Sequence, residues 1–212
     1  MNAIVMRRIG GVLMVALGVA VSGCGNYVRD QGRAPAQVVI GSLQGASGAE
    51  PDKFSTALFS DVVTNVKQTV GSQTLEVPTV YADSGKVTMS LIMKDPGTAG
   101  AASPSDLNQV TFSRYHVAYA RTDGRNTPGV DVPFPFDAGS TFTVPATGDA
   151  TFPFELVRHD AKLEAPLLAL RDSSAIIGTI AQVTFYGRDQ AGNDVSATGT
   201  IQVEFGNFGD PN

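Results

Sequence analysis

Two histidines, His116 and His159, are the only imidazoles in this 212-residue chain. A hydrolytic triad needs a nucleophile, a base and an orienting acid within hydrogen-bond reach. His159 is followed directly by Asp160, but neighbours on a strand project to opposite faces. His116 alternates with Arg114 and Ala118, opposite Tyr115, Val117 and Tyr119, and is expected on the solvent side. No Gly-x-Ser-x-Gly elbow and no Gly-x-x-x-x-Gly-Lys-Ser/Thr phosphate loop occurs. Zinc would require several His or Cys at close spacing, and these are missing. No spacing brings two carboxylates together for acid–base work. The expectation is a non-enzyme without catalytic residues or cofactors.

Two polar constellations remain. Asp189, Asn193 and Asp194 offer hard oxygen ligands within one turn, as calcium requires. The same residue types also make hairpin turns without an ion. The stretch Arg121-Thr122-Asp123-Gly124-Arg125-Asn126-Thr127-Pro128-Gly129 is a long polar loop that leads into Val132-Pro133-Phe134-Pro135-Phe136. Arginine and exposed aromatics are enriched at binding hot spots. Arg121, Asp123, Arg125, Asn126, Phe134 and Phe136 are therefore the candidate binding residues. The alternative is a loop beside a phenylalanine-filled core.

Cys24 is the only cysteine, and its setting is distinctive. Arg7 and Arg8 give a positive start, and residues 9–21 are apolar apart from glycines. Small residues then lead into the cysteine, as at the exit of a secretory signal. The run is shorter than the roughly 20 residues that span a bilayer. Val21-Ser22-Gly23-Cys24 resembles the bacterial lipobox. That resemblance implies cleavage after Gly23, a diacylglyceryl thioether on Cys24 and acylation of the new amino group. Several acyl chains anchor stably, because each buried methylene contributes about 0.8 kcal/mol. Gly25 rather than Asp after the cysteine implies the outer membrane in a Gram-negative cell. Met1 and Met6 are both candidate starts.

Without a second cysteine the exported part has no disulfide and relies on core burial. The signal carries two of the 15 basic residues and none of the 20 acids, which leaves a net charge of −7. That balance argues against nucleic acid and against electrostatic binding to anionic lipid. The expected organisation is a signal peptide at 1–23, a lipidated tether at 24–36, one domain at 37–208 and a tail at 209–212.

The domain reads as strands. Val195, Ala197, Gly199, Ile201, Val203 and Phe205 alternate with polar residues, and Ala181, Val183 and Phe185 do the same before them. Asp189-Gln190-Ala191-Gly192-Asn193-Asp194 joins the two runs as a hairpin turn. Further strands are expected at 38–44, 61–66, 74–81, 86–94, 110–120, 140–145 and 150–158. In 110–120 the apolar phase flips between Phe112 and Tyr115, which predicts a bulge near Ser113-Arg114. Pro153 places its strand at an edge or a start, and Val132–Phe136 reads as an edge segment guarded by prolines. Leu163, Leu167, Leu168 and Leu170 predict one short helix near 162–172, with Asp160 as its N-cap.

Seven to nine such strands with one small helix predict an all-β, antiparallel β-sandwich. Arg114-Tyr115-His116-Val117-Ala118-Tyr119 with Asp123-Gly124 is similar to a middle strand of fibronectin type III domains. The final hairpin resembles the closing hairpin of bacterial immunoglobulin-like domains, although the chain has no tryptophan. These resemblances imply an immunoglobulin-like module that binds an envelope protein or a surface polymer. The alternatives are a structural or adhesion spacer, or a hydrolase.

Overall fold

The computed structural model describes residues 33–95 and 103–209. Cys24, the signal segment 1–23, both candidate starts, most of the tether and residues 210–212 lie outside the described residues. The chain is all-β, with antiparallel sheets and a curled, half-barrel sheet. Its strands are β1 (Ala36–Ala46), β2 (Ala57–Asp61), β3 (Thr64–Val70), β4 (Gln73–Thr79), β5 (Asp83–Met93), β6 (Val110–Ala120), β7 (Phe136–Val144), β8 (Ala150–Val157), β9 (Ile177–Asp189) and β10 (Asp194–Gly206). One sheet has the order β1-β5-β8 and a second has β2-β10-β9-β6-β7. Strands β3 and β4 form a separate two-stranded hairpin. All neighbours pair antiparallel except β2, which runs parallel to β10.

Period-two burial explains the two larger sheets. Val87, Met89 and Leu91 of β5, Ala181, Val183 and Phe185 of β9, and Ile201, Val203 and Phe205 of β10 are all buried in one core. Phe112, Tyr115, Phe142, Phe154 and Phe185 pack there at ring separations of 5.3 to 6.1 Å. Offset and edge-to-face aromatic pairs each add roughly 0.5–1.5 kcal/mol beyond the area that they bury. Two tyrosine hydroxyls tie the sheets together. Tyr119 Oη donates to the Leu156 carbonyl at 2.6 Å, and the Glu155 amide donates to Tyr115 Oη at 3.0 Å. Burial pushes both phenols above their ordinary pKa.

The predicted bulge is present. Register shifts between Phe112 and Arg114 in both ladders of β6, so Phe112 and Tyr115 are both buried. Pro153 lies on β8, an edge strand, as its missing N–H demands. Phe136 opens β7, the edge of the five-stranded sheet.

Three expectations are corrected. The single helix near 162–172 is two 3-10 turns, Asp160–Leu163 and Leu167–Leu170. Pro166 stands between them; it lacks an N–H and disfavours helical backbone at the preceding residue. Asp160 does not cap, since His159 holds that position without a side-chain cap. The strand expected at 61–66 breaks at Val62 and Val63, which are buried at a corner between β2 and β3. Asp61 shapes that corner: its carboxylate accepts from Thr64 Oγ1 at 2.9 Å and from the Phe208 amide at 3.1 Å. Ala34 and Ala36, at the entry to β1, are buried.

Register defines two ends. At the first, Ala36 of β1 pairs with Met93, and the β9–β10 turn lies beside Val110 of β6. At the other, Ala46 pairs with Ser84 and Asp83 with Val157, and the ring of Tyr119 packs against Phe205 near the close of β10. The chain enters β1 at the first end. The β3–β4 hairpin and the β6–β7 loop both leave from the second.

Candidate functional site

The β6–β7 loop brings together four of the residues expected there. Asp123 accepts from Arg121 Nη2 at 2.6 Å and from Arg125 Nη2 at 2.8 Å. Its backbone turns back, so the Arg125 amide also donates to Asp123 Oδ1 at 3.1 Å. Asn126 Oδ1 accepts from the Arg121 amide at 2.6 Å and closes the loop base. The two guanidiniums hold the exposed Asp123 carboxyl well below the usual carboxylate range. Asp123 in turn raises the Arg121 guanidinium.

The rest of the loop is a tight turn. Amides of Val130 and Asp131 donate to the Thr127 carbonyl, and the Thr127 amide donates to Asp131 Oδ2 at 3.1 Å. Gly129 has φ +76°, and a Cβ there would meet the Phe134 ring at 2.3 Å. Phe134 therefore lies across the glycine, 48% exposed. Phe136, by contrast, packs in the core. It is only 6% exposed and packs edge-on against Tyr115 at 6.2 Å.

The β9–β10 turn brings Asp189 and Asn193 together, but as partners of each other. Asp189 Oδ1 accepts from the Ala191 and Asn193 amides at 3.0 and 2.8 Å, and Oδ2 accepts from Asn193 Nδ2 at 2.7 Å. Asp194 faces Arg188 at 2.7 Å instead. The carboxylate is thus engaged as a turn former. Among the described residues no cluster of three or more His, Cys, Asp or Glu could hold a metal.

The histidines are surface residues. His116 Nδ1 lies 3.2 Å from Asp137, which also meets Arg114 at 3.3 Å. His159 and Asp160 do meet, at 3.0 Å, because they sit beyond the end of β8 and not on a strand. Both are exposed.

Three features escaped the sequence reading. The first is a shallow groove of about 450 Å³ on the outer face of β6, β9 and β10, beside the bulge. Arg114 lies over the Tyr186 ring there at 4.0 Å, and Arg188 lines the same groove. Both arginines already have carboxylate partners.

The second is the β3–β4 hairpin. Val66 pairs with Val77, and Gln68 with Leu75. Alternation puts these on one face with Val70, while Lys67 and Glu76 pair on the other. Val70 is 62% and Leu75 51% exposed. The hairpin is an amphipathic arm whose apolar face is open.

The third is a buried ion pair. Lys162, 1% exposed, places Nζ 2.8 Å from Asp83 Oδ1 and 2.7 Å from the Asp61 carbonyl. Asp83 is equally buried and accepts from Ser60 Oγ at 2.6 Å and from the Gly48 amide at 2.8 Å. Burial raises the Asp83 carboxyl above its ordinary pKa, although Lys162 and the hydrogen bonds pull the other way.

Comparison with known protein families, with curated proteins and with solved structures finds no match to this chain.

Proposed function

We propose that this chain is a membrane-anchored lipoprotein whose immunoglobulin-like module binds an envelope protein and performs no catalysis. One observation carries the reading. The two exposed features suited to recognition, the Arg121–Asp123–Arg125 loop with Phe134 and the apolar β3–β4 arm, leave the same end of the sheets. That end is opposite the one at which the chain enters β1. A lipid on Cys24 would therefore hold one end at the membrane and present the other. Two sheets over a shared core support the sandwich reading. The parallel β2 and the extra β3–β4 arm are departures from the simplest version of that fold.

An arm with open edges and an apolar face suits addition to a partner's sheet. Arg125 and Phe134 supply a polar and an aromatic contact at the same end. Photocrosslinking side chains at positions 75, 125 and 134 are expected to trap the same discrete adduct in intact cells. The same probe at position 196, near the opposite end, is expected to trap none. Leu75→Lys should remove the adduct and leave the unfolding free energy within about 0.5 kcal/mol of the wild type, as for exposed sites. Equal trapping at all four positions, or none at 75, 125 and 134, would refute the reading and favour a passive spacer.

A further inference from the structure

We propose that the Asp83 carboxyl and the Lys162 amine condense to an amide, which covalently links the start of β5 to the 3-10 turn that follows β8. The inference stands apart from the binding reading above.

The geometry has four parts. The reacting groups are in contact, with Nζ 2.8 Å from Oδ1. Neither is exposed by more than 1%. Ser60 Oγ donates to Oδ2 at 2.6 Å, and the Gly48 amide donates to Oδ1 at 2.8 Å. The Asp61 carbonyl accepts from Nζ at 2.7 Å and fixes the direction of the amine. Groups held in this way react at effective molarities on the order of 10⁵ M or more.

Burial favours the step on both sides. Two unit charges removed from water carry a desolvation cost that their attraction only partly offsets. An amide carries neither charge. The raised Asp83 carboxyl eases the first proton transfer.

The step balances without any co-reactant. A proton passes along the 2.8 Å contact from the Lys162 ammonium to Asp83 Oδ1 and leaves a free amine and a carboxylic acid. The Nζ lone pair attacks Cγ, and the carbonyl electrons move onto Oδ2. The Ser60 hydroxyl, which donates to Oδ2, stabilises the charge that develops there. Nζ then loses a second proton to Oδ1. The Cγ–Oδ1 bond breaks, Oδ1 departs as water, and the Cγ=Oδ2 bond re-forms. Nζ keeps one hydrogen, which continues to donate to the Asp61 carbonyl.

A tryptic peptide map of the purified, denatured full chain tests the link. The expected product joins residues 68–86 to residues 159–171, with Lys162 uncut. Its mass is one water less than that of the two peptides together. Fragmentation should place the bond between Asp83 and Lys162. In Lys162→Met the 68–86 peptide should be recovered free. Recovery of free 68–86 and 159–162 from the wild-type chain, with no linked pair, would overturn the proposal. The wild-type map decides the matter even if the variant does not fold.

Discussion

Asp123 and Asp83 show how environment divides two chemically identical carboxyls. Asp123 is exposed and bracketed by two guanidiniums, so its charged form is favoured. Asp83 is buried, and desolvation outweighs the ammonium beside it. A depressed pKa in the folded state means that the Asp123 pairing is fully present above the ordinary Asp value, about 3.9, and fades as pH falls through the folded value. In a pH series followed by carbon NMR, the Asp123 carboxyl should titrate below that ordinary value. Arg121→Gln or Arg125→Gln should move the midpoint upward, and so should high salt, because surface pairs are screened. A midpoint that none of these shifts would remove the ion cluster. The cluster was legible in the sequence because its members lie within five residues. The Lys162–Asp83 pair was not, since 79 residues separate its halves. On its own, Lys162 reads as the charged face of a leucine-rich helix.

Among elements, the bulge of β6 was readable because the apolar phase itself slips between Phe112 and Tyr115. Its consequence for the neighbouring strand was not readable. Gly187 lies opposite, and a Cβ there would stand 2.4 Å from the Thr111 carbonyl and 2.8 Å from Phe112 Cα. Backbone atoms cannot swing aside. Gly187→Ala should therefore destabilise by about 1–3 kcal/mol in urea unfolding, with the m-value unchanged. Gly139, on the other flank of the same bulge, has open space at its Cβ. Gly139→Ala should be neutral or slightly stabilising, because it restricts only the unfolded chain. Equal losses at the two glycines would refute the close-approach argument. The strand expected at 74–81 overlaps β4, whereas the corner at Val62-Val63 was misread as part of a strand. A short unalternating apolar run has no period from which to tell a strand from a buried turn.

For the whole molecule, the sheet-rich architecture was the most legible property and the lipid anchor the most specific expectation. The final hairpin and the strand at 110–120 follow from alternation alone, whereas the parallel partnership of β2 with β10 has no local signature. Cys24→Ser should abolish labelling by a fatty-acid analogue and release the protein from the membrane fraction. Unchanged fractionation would end the lipoprotein reading. Among the described residues no helix is long and apolar enough to cross a membrane, so no such helix among them could stand in for the lipid.

The place of β10 has a consequence in time. It is the last strand in chain order, yet it lies inside the five-stranded sheet, between β2 and β9. Strand β2 finds its partner some 145 residues downstream, at 202–206. A growing chain emerges amino end first at about 5–20 residues per second. For many seconds β2 exposes an unpaired edge and one side of the core has no cover. Closure is thus a late event, and until then the nascent chain presents the kind of apolar, strand-forming surface that chaperones hold.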